Sequence, residues 1–165
     1  MNLRPVTADD RTILDRLMQF YMYDFSEIVE LDFDQTGVFP SGLLSRFLPD
    51  SNNRAWFIES EGSLAGFVLV SINAQLKNGK FGSLVKEFFV MRAYRGKNLG
   101  RRAAHEVFKL HPGEWNVSVM QKNMRALEFW NDTIRTFTNG QFVRRVYDDD
   151  WKGTTFSFSS QTTSS

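Results

Sequence analysis

The spacing of hydrophobic residues predicts a strand and then a helix at the start of the chain. Residues Leu3 to Val6 form a short strand-like run, and from Ile13 to Tyr21 the apolar residues recur on one helical face. Thr7 or Asp9 is suited to cap this helix, and we expect the helix to end near Ile28.

Between residues 30 and 53 the pattern weakens, and Asp, Gly and Pro interrupt it around a short predicted helix at Leu43 to Leu48. We expect this segment to be mobile or to face a substrate. Strand-like runs return at Ala55 to Glu59 and Leu64 to Ile72, and their short polar connection predicts an antiparallel hairpin. Gly82 to Met91 predicts a central strand, because its last residues form an unbroken apolar run.

The second half of the chain continues the alternation of strands and helices. The predicted elements are a helix from Leu99 that stops at His111, a strand at Trp115 to Val119, a helix from Met124 to Ile134, and a hairpin of Phe142 to Tyr147 with Thr154 to Phe158. This order predicts an α/β fold with mixed strand pairing. We expect one domain over residues 1–158 and a disordered Ser/Thr-rich tail over residues 159–165.

The composition agrees with one ordinary globular domain and excludes several classes of protein. The chain has 165 residues, of which 42% are hydrophobic and 24% are charged. A net charge of +1 gives no broad basic field, so nucleic acid is not an expected partner. The absence of cysteine excludes thiolate-bound metals and an acyl intermediate on a thiolate. No apolar run is long enough to span a bilayer and no secretory signal is visible, which predicts a cytoplasmic protein without membrane contact.

The loop between the central strand and the following helix is the first segment with a specific chemical indication. This loop, Arg92 to Arg101, precedes a helix N-terminus, where main-chain N–H groups have no intrahelical partner and the helix dipole favours anions. Its two glycines allow a diphosphate to approach closely, and Arg95, Lys97 and Arg101 would neutralise its charge. The loop is neither a P-loop nor a G-x-G-x-x-G fingerprint. A Gly-containing turn with solvated arginines is the alternative interpretation.

The run from Val90 to Gly100 resembles the acetyl-CoA-binding signature of the GNAT superfamily of N-acetyltransferases. That signature follows a hydrophobic strand with Arg/Gln-x-x-Gly-x-Gly/Ala, and the corresponding positions here are Arg95, Gly96, Asn98 and Gly100. Asn98 stands where the family most often has its first motif glycine. Asparagine tolerates left-handed backbone better than most residues, so we expect the loop to keep its shape with a slightly weaker grip on phosphate.

A second match lies downstream, in the pattern Asn-x-x-Ala-x-x-aromatic of a family helix. The matching residues are Asn123, Ala126, Phe129 and Trp130. Together the matches and the element order cover roughly residues 3–158. The resemblance implies one N-acetyltransferase domain with a mixed, mostly antiparallel central sheet flanked by helices on both faces.

The resemblance further implies that acetyl-CoA is the acyl donor and lies between the strands at Gly82 to Met91 and Glu114 to Gln121. A main-chain N–H near Val90 would then bind the oxyanion. The residues implied to contact the coenzyme are the strand residues Phe88, Phe89 and Val90, the loop residues Arg95, Gly96, Lys97, Asn98, Leu99, Gly100 and Arg101, and the helix residues Asn123 and Trp130. Asn123 is equally suited to cap its helix.

Direct attack of a primary amine on the thioester, without an acyl-enzyme, is the reaction that the resemblance implies. Glu87 on the central strand is the candidate base, and an ion pair with Lys86 or Arg92 is its alternative role. Tyr23 and Asp24, at the end of the first helix, are candidates for contact with the acceptor.

Trp130 departs from the family, in which a tyrosine at this position often protonates the departing thiolate. An indole N–H is too weakly acidic for that role. Tyr94 is the candidate replacement, with Tyr147, water and unassisted departure as alternatives. Phe129 and Trp130 are also suited to a purely structural place in the core.

The sequence does not select the acceptor. A small-molecule amine and a protein amino group both fit, and a homodimer is compatible because dimers are common in this family. No metal site is expected, since His105 and His111 lie six positions apart and the acidic turn at Asp148 to Asp150 lacks a ligand pattern. A non-catalytic acyl-CoA-binding module and an interaction protein on the same scaffold are the competing functions.

Overall fold

The computed structural model describes residues 1–40, 42–48 and 50–160. The strands are β1 (Asn2–Pro5), β2 (Asn53–Ser60), β3 (Ser63–Gln75), β4 (Phe81–Val90), β5 (Gly113–Met120), β6 (Val143–Asp148) and β7 (Lys152–Ser160). The helices are α1 (Arg11–Phe25), α2 (Leu43–Phe47), α3 (Leu99–Leu110) and α4 (Met124–Thr138), with 3-10 turns at Ala8–Asp10 and Arg92–Tyr94. None of the helices in these described ranges is long and apolar enough to cross a membrane.

The strands form one seven-stranded sheet in the order β1-β2-β3-β4-β5-β7-β6. All neighbouring strands are antiparallel except β4 and β5, which are parallel and joined by the α3 crossover. The parallel pair is short, because only Ser83 to Val85 pair with Trp115 to Val117. Beyond these residues the two strands separate, so the sheet opens at their carboxyl ends.

Each face of the sheet has its own apolar core, because side chains alternate along the strands. Phe57 of β2 and Phe67 of β3 point to the face covered by α1 and α2, where they contact Leu14 and Met18. The opposite face is covered by α3 and α4. The buried residues there include Trp56, Val68, Val107, Phe108, Trp115, Val117, Trp130, Ile134 and Phe156. The mostly antiparallel sheet with helices on both faces confirms the predicted fold.

The predicted elements are present, and the differences lie at their ends. β3 runs beyond the predicted Ile72 to Gln75, with irregular pairing to β4 between Ser71 and Ala74. α1 ends at Phe25 rather than near Ile28. β7 extends through Ser160, so the first two residues of the predicted tail belong to a strand. The other tail residues, 161–165, lie outside the described residues.

Candidate active site

The opening between β4 and β5 leads into a cavity of about 800 Å³. Its walls come from the carboxyl end of β4, the first turns of α3 and α4, and the last turn of α1 with the residues that follow it. The basic residues of the lining are Arg95, Arg101, Lys122 and Arg125, and the acidic ones are Asp24 and Glu27. The cavity is therefore basic where α3 and α4 begin, and its acidic residues lie at the end of α1.

The loop before α3 has the backbone shape that an anion-binding turn requires. Asn98 is the N-cap of α3 and has a φ of +62°, in the left-handed region that glycine favours and asparagine tolerates. Gly96 also has positive φ. The amide of Arg102 donates to the carbonyl of Asn98 as the first bond of the helix, so the amides before it have no intrahelical acceptor. Asn98 thus keeps the backbone conformation that the matching glycine would adopt.

Arg101 adds an unsatisfied donor to this end of the cavity. Its Nε is buried and has no hydrogen-bond partner among the described residues. A buried charged donor without a partner is costly, and a bound phosphate oxygen would satisfy it. Together with the free amides of the helix N-terminus, Arg101 makes this part of the cavity a fit for a diphosphate.

Gly100 is required by packing as well as by any ligand. A Cβ atom at this position would lie 3.2 Å from Cε2 of Phe129 and 3.5 Å from a methyl group of Val90. The glycine therefore lets α3 approach α4 and β4 closely. This contact was not evident from the sequence, where the glycine was explained by the ligand alone.

Aromatic side chains form the wall of the cavity next to α4. The ring of Phe88 lies 5.7 Å from that of Phe129 and 5.0 Å from that of Trp130, centroid to centroid. Trp130 is only 5% exposed and also packs on Phe108. Asn123 caps α4, since its Oδ1 accepts from the amide of Ala126 at 3.1 Å. Asn123 and Trp130 thus both line the cavity and have structural roles.

The main chain of β4 presents polar groups to the opening. Met91 donates its N–H to the carbonyl of Ala65 in β3. Because main-chain groups alternate along an antiparallel strand, the N–H of Val90 points the other way, towards the side that β5 leaves unpaired. The carbonyl of Val90, on the same side, accepts from Nε of Arg95 at 2.7 Å.

Glu87 is joined to Tyr21 of α1 across the face of the sheet. The phenol of Tyr21 donates to Oε2 of Glu87 at 2.5 Å. Burial raises the pKa of Glu87, opposed by this hydrogen bond and by the charge of Lys86. Burial and the neighbouring Glu87 raise the pKa of Tyr21 as well. Glu87 is half-buried beside Tyr21, whereas Tyr21 itself lines the cavity.

Asp24 forms hydrogen bonds with two arginines of the loop before α3. One carboxylate oxygen accepts from Arg92 at 2.6 Å, and the other accepts from Arg95. Burial opposes ionisation of Asp24, but the hydrogen bonds from Arg95 and Arg92 hold the pKa of its carboxyl below the usual value. Asp24 therefore ties the end of α1 to the loop before α3, instead of leaving its carboxylate unpaired for an acceptor.

Four of the residues predicted for the site are not part of the cavity lining, and Glu87, behind Tyr21, is one of them. Tyr94 packs against the buried cluster that includes Ile58 and Ala103. Tyr23 is 58% exposed on the surface of α1. Lys97 is exposed at the tip of the loop, where its charge faces solvent. These three and Glu87, all within the described part of the chain, do not line the cavity.

Comparison with known proteins links this geometry to a family of enzymes. The model of the acetyltransferase (GNAT) family matches residues 15–132 of the sequence. The chain belongs to the GNAT acetyltransferase family. The predicted membership of this family is thereby confirmed, and the protein is an acyltransferase.

Solved structures of several acetyltransferases share its fold. An acetyltransferase from Thermus thermophilus superposes with a TM-score of 0.71 at 15% identity, covering 96% of this chain and 96% of that one. A GNAT acetyltransferase from Staphylococcus aureus gives 0.63 at 15% identity, with coverage of 97% and 99%. A dodecameric spermidine N-acetyltransferase from Vibrio cholerae gives 0.59 at 11% identity, with coverage of 96% and 93%. A search of curated proteins finds no match to this sequence.

Tyr21 is the residue of this GNAT enzyme that the sequence analysis missed as part of the site. It lies on the apolar stripe of α1, where an aromatic residue is expected to fill the core. The available signal was its hydroxyl group, since a buried phenol needs a hydrogen-bond partner. Its partner, Glu87, is 66 positions away in the sequence.

Within the described ranges, no group of three His, Cys, Asp or Glu side chains is placed to hold a metal ion.

Proposed function

We propose that this GNAT enzyme transfers the acetyl group of acetyl-CoA directly to a primary amine, carried by a small molecule or a protein. The observation that supports this most is the open N-terminus of α3, shaped by left-handed Asn98 and bordered by the unpartnered Nε of Arg101. These donors suit a diphosphate. They lie in the same cavity as the main chain of Phe88 to Val90, which suits the pantetheine arm.

The β4 main chain suits the thioester end of the donor. The N–H of Val90 points into the opening and is the proposed donor to the oxyanion that develops on the acyl carbonyl. Pairing with a strand edge depends on main-chain groups, so the coenzyme arm can bind without specific side chains on β4. We therefore assign the loop to the diphosphate and β4 to the reacting end.

Glu87 is the proposed base for the amine. It is half-buried and hydrogen-bonded to Tyr21, which lines the cavity, and burial raises the pKa of its carboxyl. A base works best when its pKa lies near the working pH, so this shift is in the useful direction. A direct attack with both substrates bound agrees with a chain that contains no cysteine to hold the acyl group.

Two measurements test the proposed function. The first is thermal unfolding with and without CoA or acetyl-CoA, because a ligand that binds only the folded state raises Tm. The second is thiol release from acetyl-CoA across a panel of amines that includes n-butylamine, spermidine and a lysine-containing peptide. We expect a coenzyme-dependent rise in Tm and amine-dependent thiol release.

A matched pair of variants tests the role of Glu87. Glu87→Gln should lower kcat by about 100-fold, the usual size of a general-base contribution. Glu114→Gln, a carboxylate on β5 that pairs with Lys80 at 3.4 Å, should leave kcat unchanged. Absence of any Tm shift with CoA contradicts the coenzyme assignment. Coenzyme binding without thiol release from any amine contradicts the transfer reaction.

A further inference from the structure

The proton needed by the departing thiolate has no donor on α4. In the family pattern a tyrosine often stands at the position of Trp130, but an indole N–H does not supply a proton at ordinary pH. The ring of Trp130 is packed between Phe88 and Phe129, with centroids 5.0 Å and 4.9 Å away. Trp130 thus fills the place of the usual acid with a structural side chain.

Tyr21 brings a phenol to the cavity from a different helix. Of the four tyrosines in the chain, all of them within the described residues, Tyr21 alone lines the cavity. Its ring stacks on Phe25 at 5.7 Å, and the edges of Phe67 and Phe89 hold it from the side at 5.9 Å and 6.2 Å. These contacts fix the ring, so its hydroxyl has a defined position next to β4.

Tyr21 and Glu87 are placed in series. Tyr21 lines the coenzyme cavity, and Glu87 lies behind it at the other end of a 2.5 Å hydrogen bond. This inference rests on the proposed function. We propose that Tyr21 is a catalytic residue that protonates the departing thiolate of CoA. Glu87 returns a proton to Tyr21 after taking one from the amine.

The proton balance of this step closes without another reactant. The amine nitrogen forms a bond to the acyl carbon, and the carbon–sulfur bond breaks with its electron pair remaining on sulfur. Glu87, which does not itself line the cavity, accepts through a water molecule the proton that the amine nitrogen loses. Tyr21 gives its phenolic proton to the sulfur and receives the proton from Glu87 along their hydrogen bond. Tyr21 ends as a neutral phenol and Glu87 as a carboxylate, as both began.

The surroundings of the pair suit these roles. Burial raises the pKa of both groups, and the negative charge of Glu87 adds to the effect on Tyr21. A raised phenol pKa keeps Tyr21 protonated before the reaction, but it also makes the phenol a weaker acid. Donation to sulfur therefore requires that Glu87 return a proton to Tyr21 in the same step. A raised carboxyl pKa makes Glu87 a better acceptor for the amine proton.

The first part of the test is Tyr21→Phe in the full chain, which keeps the ring and its packing. Thiol release is measured with acetyl-CoA and the amine of the panel that reacts fastest, and CoA affinity is measured separately. We expect kcat to fall by about 10- to 100-fold, since general acid catalysis contributes on this scale or more. The Kd for CoA should change by less than about twofold, because the phenol is assigned to the reaction and not to affinity.

The second part separates proton donation from a structural role. Fluorotyrosines of graded phenol acidity, incorporated at position 21, keep the hydroxyl and the fold while changing its pKa. If Tyr21 donates the proton, kcat varies systematically with the phenol pKa and its pH profile shifts with it. A kcat that ignores the phenol pKa contradicts the proposal, because only a structural hydroxyl would behave in that way.

Two comparison variants remove phenols that lie outside the cavity lining, Tyr94→Phe and Tyr147→Phe. A loss in either one that equals the loss in Tyr21→Phe would overturn the assignment to Tyr21. If wild-type protein binds CoA and releases thiol while Tyr21→Phe is fully active, only this inference fails. If wild-type protein neither binds CoA nor releases thiol, the proposed function fails together with it.

Discussion

The two walls of the cavity are built in different ways. The wall next to α3 and α4 uses main-chain amides, a left-handed Asn98 and a close approach at Gly100. The wall next to α1 uses side chains that meet across long stretches of sequence, Tyr21 with Glu87 and Asp24 with Arg95. The first wall depends on local backbone shape, whereas the second depends on how α1 is placed on the sheet.

This difference explains why one wall corresponds to a recognisable sequence motif and the other does not. A loop that presents amides needs particular residues at fixed spacing, because glycine or asparagine must adopt positive φ and a helix must begin at once. A contact between two side chains can be made from many positions on a helix and a strand. The wall next to α3 and α4 can therefore be recognised in a short window of sequence, and the wall next to α1 can be recognised only when the fold is known.

The largest expected effect comes from a change in the strands that both walls share. A Cβ atom at Gly66 of β3 would overlap the carbonyl oxygen of Phe89 in β4. Gly66→Ala should therefore lower the free energy of unfolding by roughly 3 kcal/mol and disturb the β4 edge. Urea unfolding measures this, with Gly42→Ala as the control, because its Cβ would meet its nearest atom at an ordinary 3.6 Å. Equal stability of the two variants would contradict the close approach of β3 and β4.

A change on the wall next to α3 and α4 should affect the affinity for CoA more than it affects stability. Gly100→Asp places a carboxylate next to the α3 amides, and we expect the Kd for CoA to rise by about 100-fold, or ~2.7 kcal/mol. Gly100→Ala is the matched control, since it crowds Phe129 at 3.2 Å without adding charge. Calorimetric titration should show only a several-fold loss for the alanine variant. Similar losses in both would mean that packing, and not charge, controls the affinity.

A change on the α1 wall tests the tie between α1 and the coenzyme loop. Asp24→Asn weakens the pairing with Arg92 and Arg95, and we expect a loss of about 1 kcal/mol in the free energy of unfolding at neutral pH. The pKa of Asp24 is lowered in the folded state, so its contribution is present above the usual aspartate pKa and is lost as pH falls through the lowered value. Asp132→Asn breaks an exposed pair with Arg135 on α4 and should cost less. Identical losses would remove any special role for the Asp24 contacts.

The smallest expected effect is a gain in stability on the same wall. The pKa of Glu87 is raised in the folded state. The contribution of Glu87 to the free energy of unfolding is therefore most favourable at low pH, and it is lost as pH rises through that raised value. Glu87→Gln should therefore raise Tm above pH 7 and leave it unchanged near pH 4, where glutamate is largely protonated in both states. Calorimetry across this range measures the effect, with Glu114→Gln as control. A gain of the same size at every pH would point to packing instead of ionisation.

Much of the fold could be predicted from the sequence, because apolar spacing follows the period of each element. The bounds of α3 were predicted closely, since the apolar stripe from Leu99 is followed by His111 and a proline. The ends of β3 and α1 were not, because strand irregularities and the last helical turn depend on tertiary contacts.

The candidate site, like the fold, could be predicted only in part from the sequence. The loop from Arg95 to Arg101 could be predicted from its motif, and all of it except Lys97 lines the cavity. Tyr21 was assigned to the core, because its position on an apolar stripe hides the polar end of its side chain. The contacts of Asp24 could not be predicted, since its partners Arg92 and Arg95 lie far away in the sequence.

The short parallel pairing of β4 with β5 has a mechanical consequence. Only three residue pairs join strands β1 to β4 with strands β5 to β7, which is the smallest number of paired residues between any two neighbouring strands of the described sheet. A donor lying along β4 would act as a partial extra strand across this short pairing. Amide hydrogen exchange at the end of β4 should then slow when CoA is added. Separation of the two groups of strands should also require more force with CoA bound than without it.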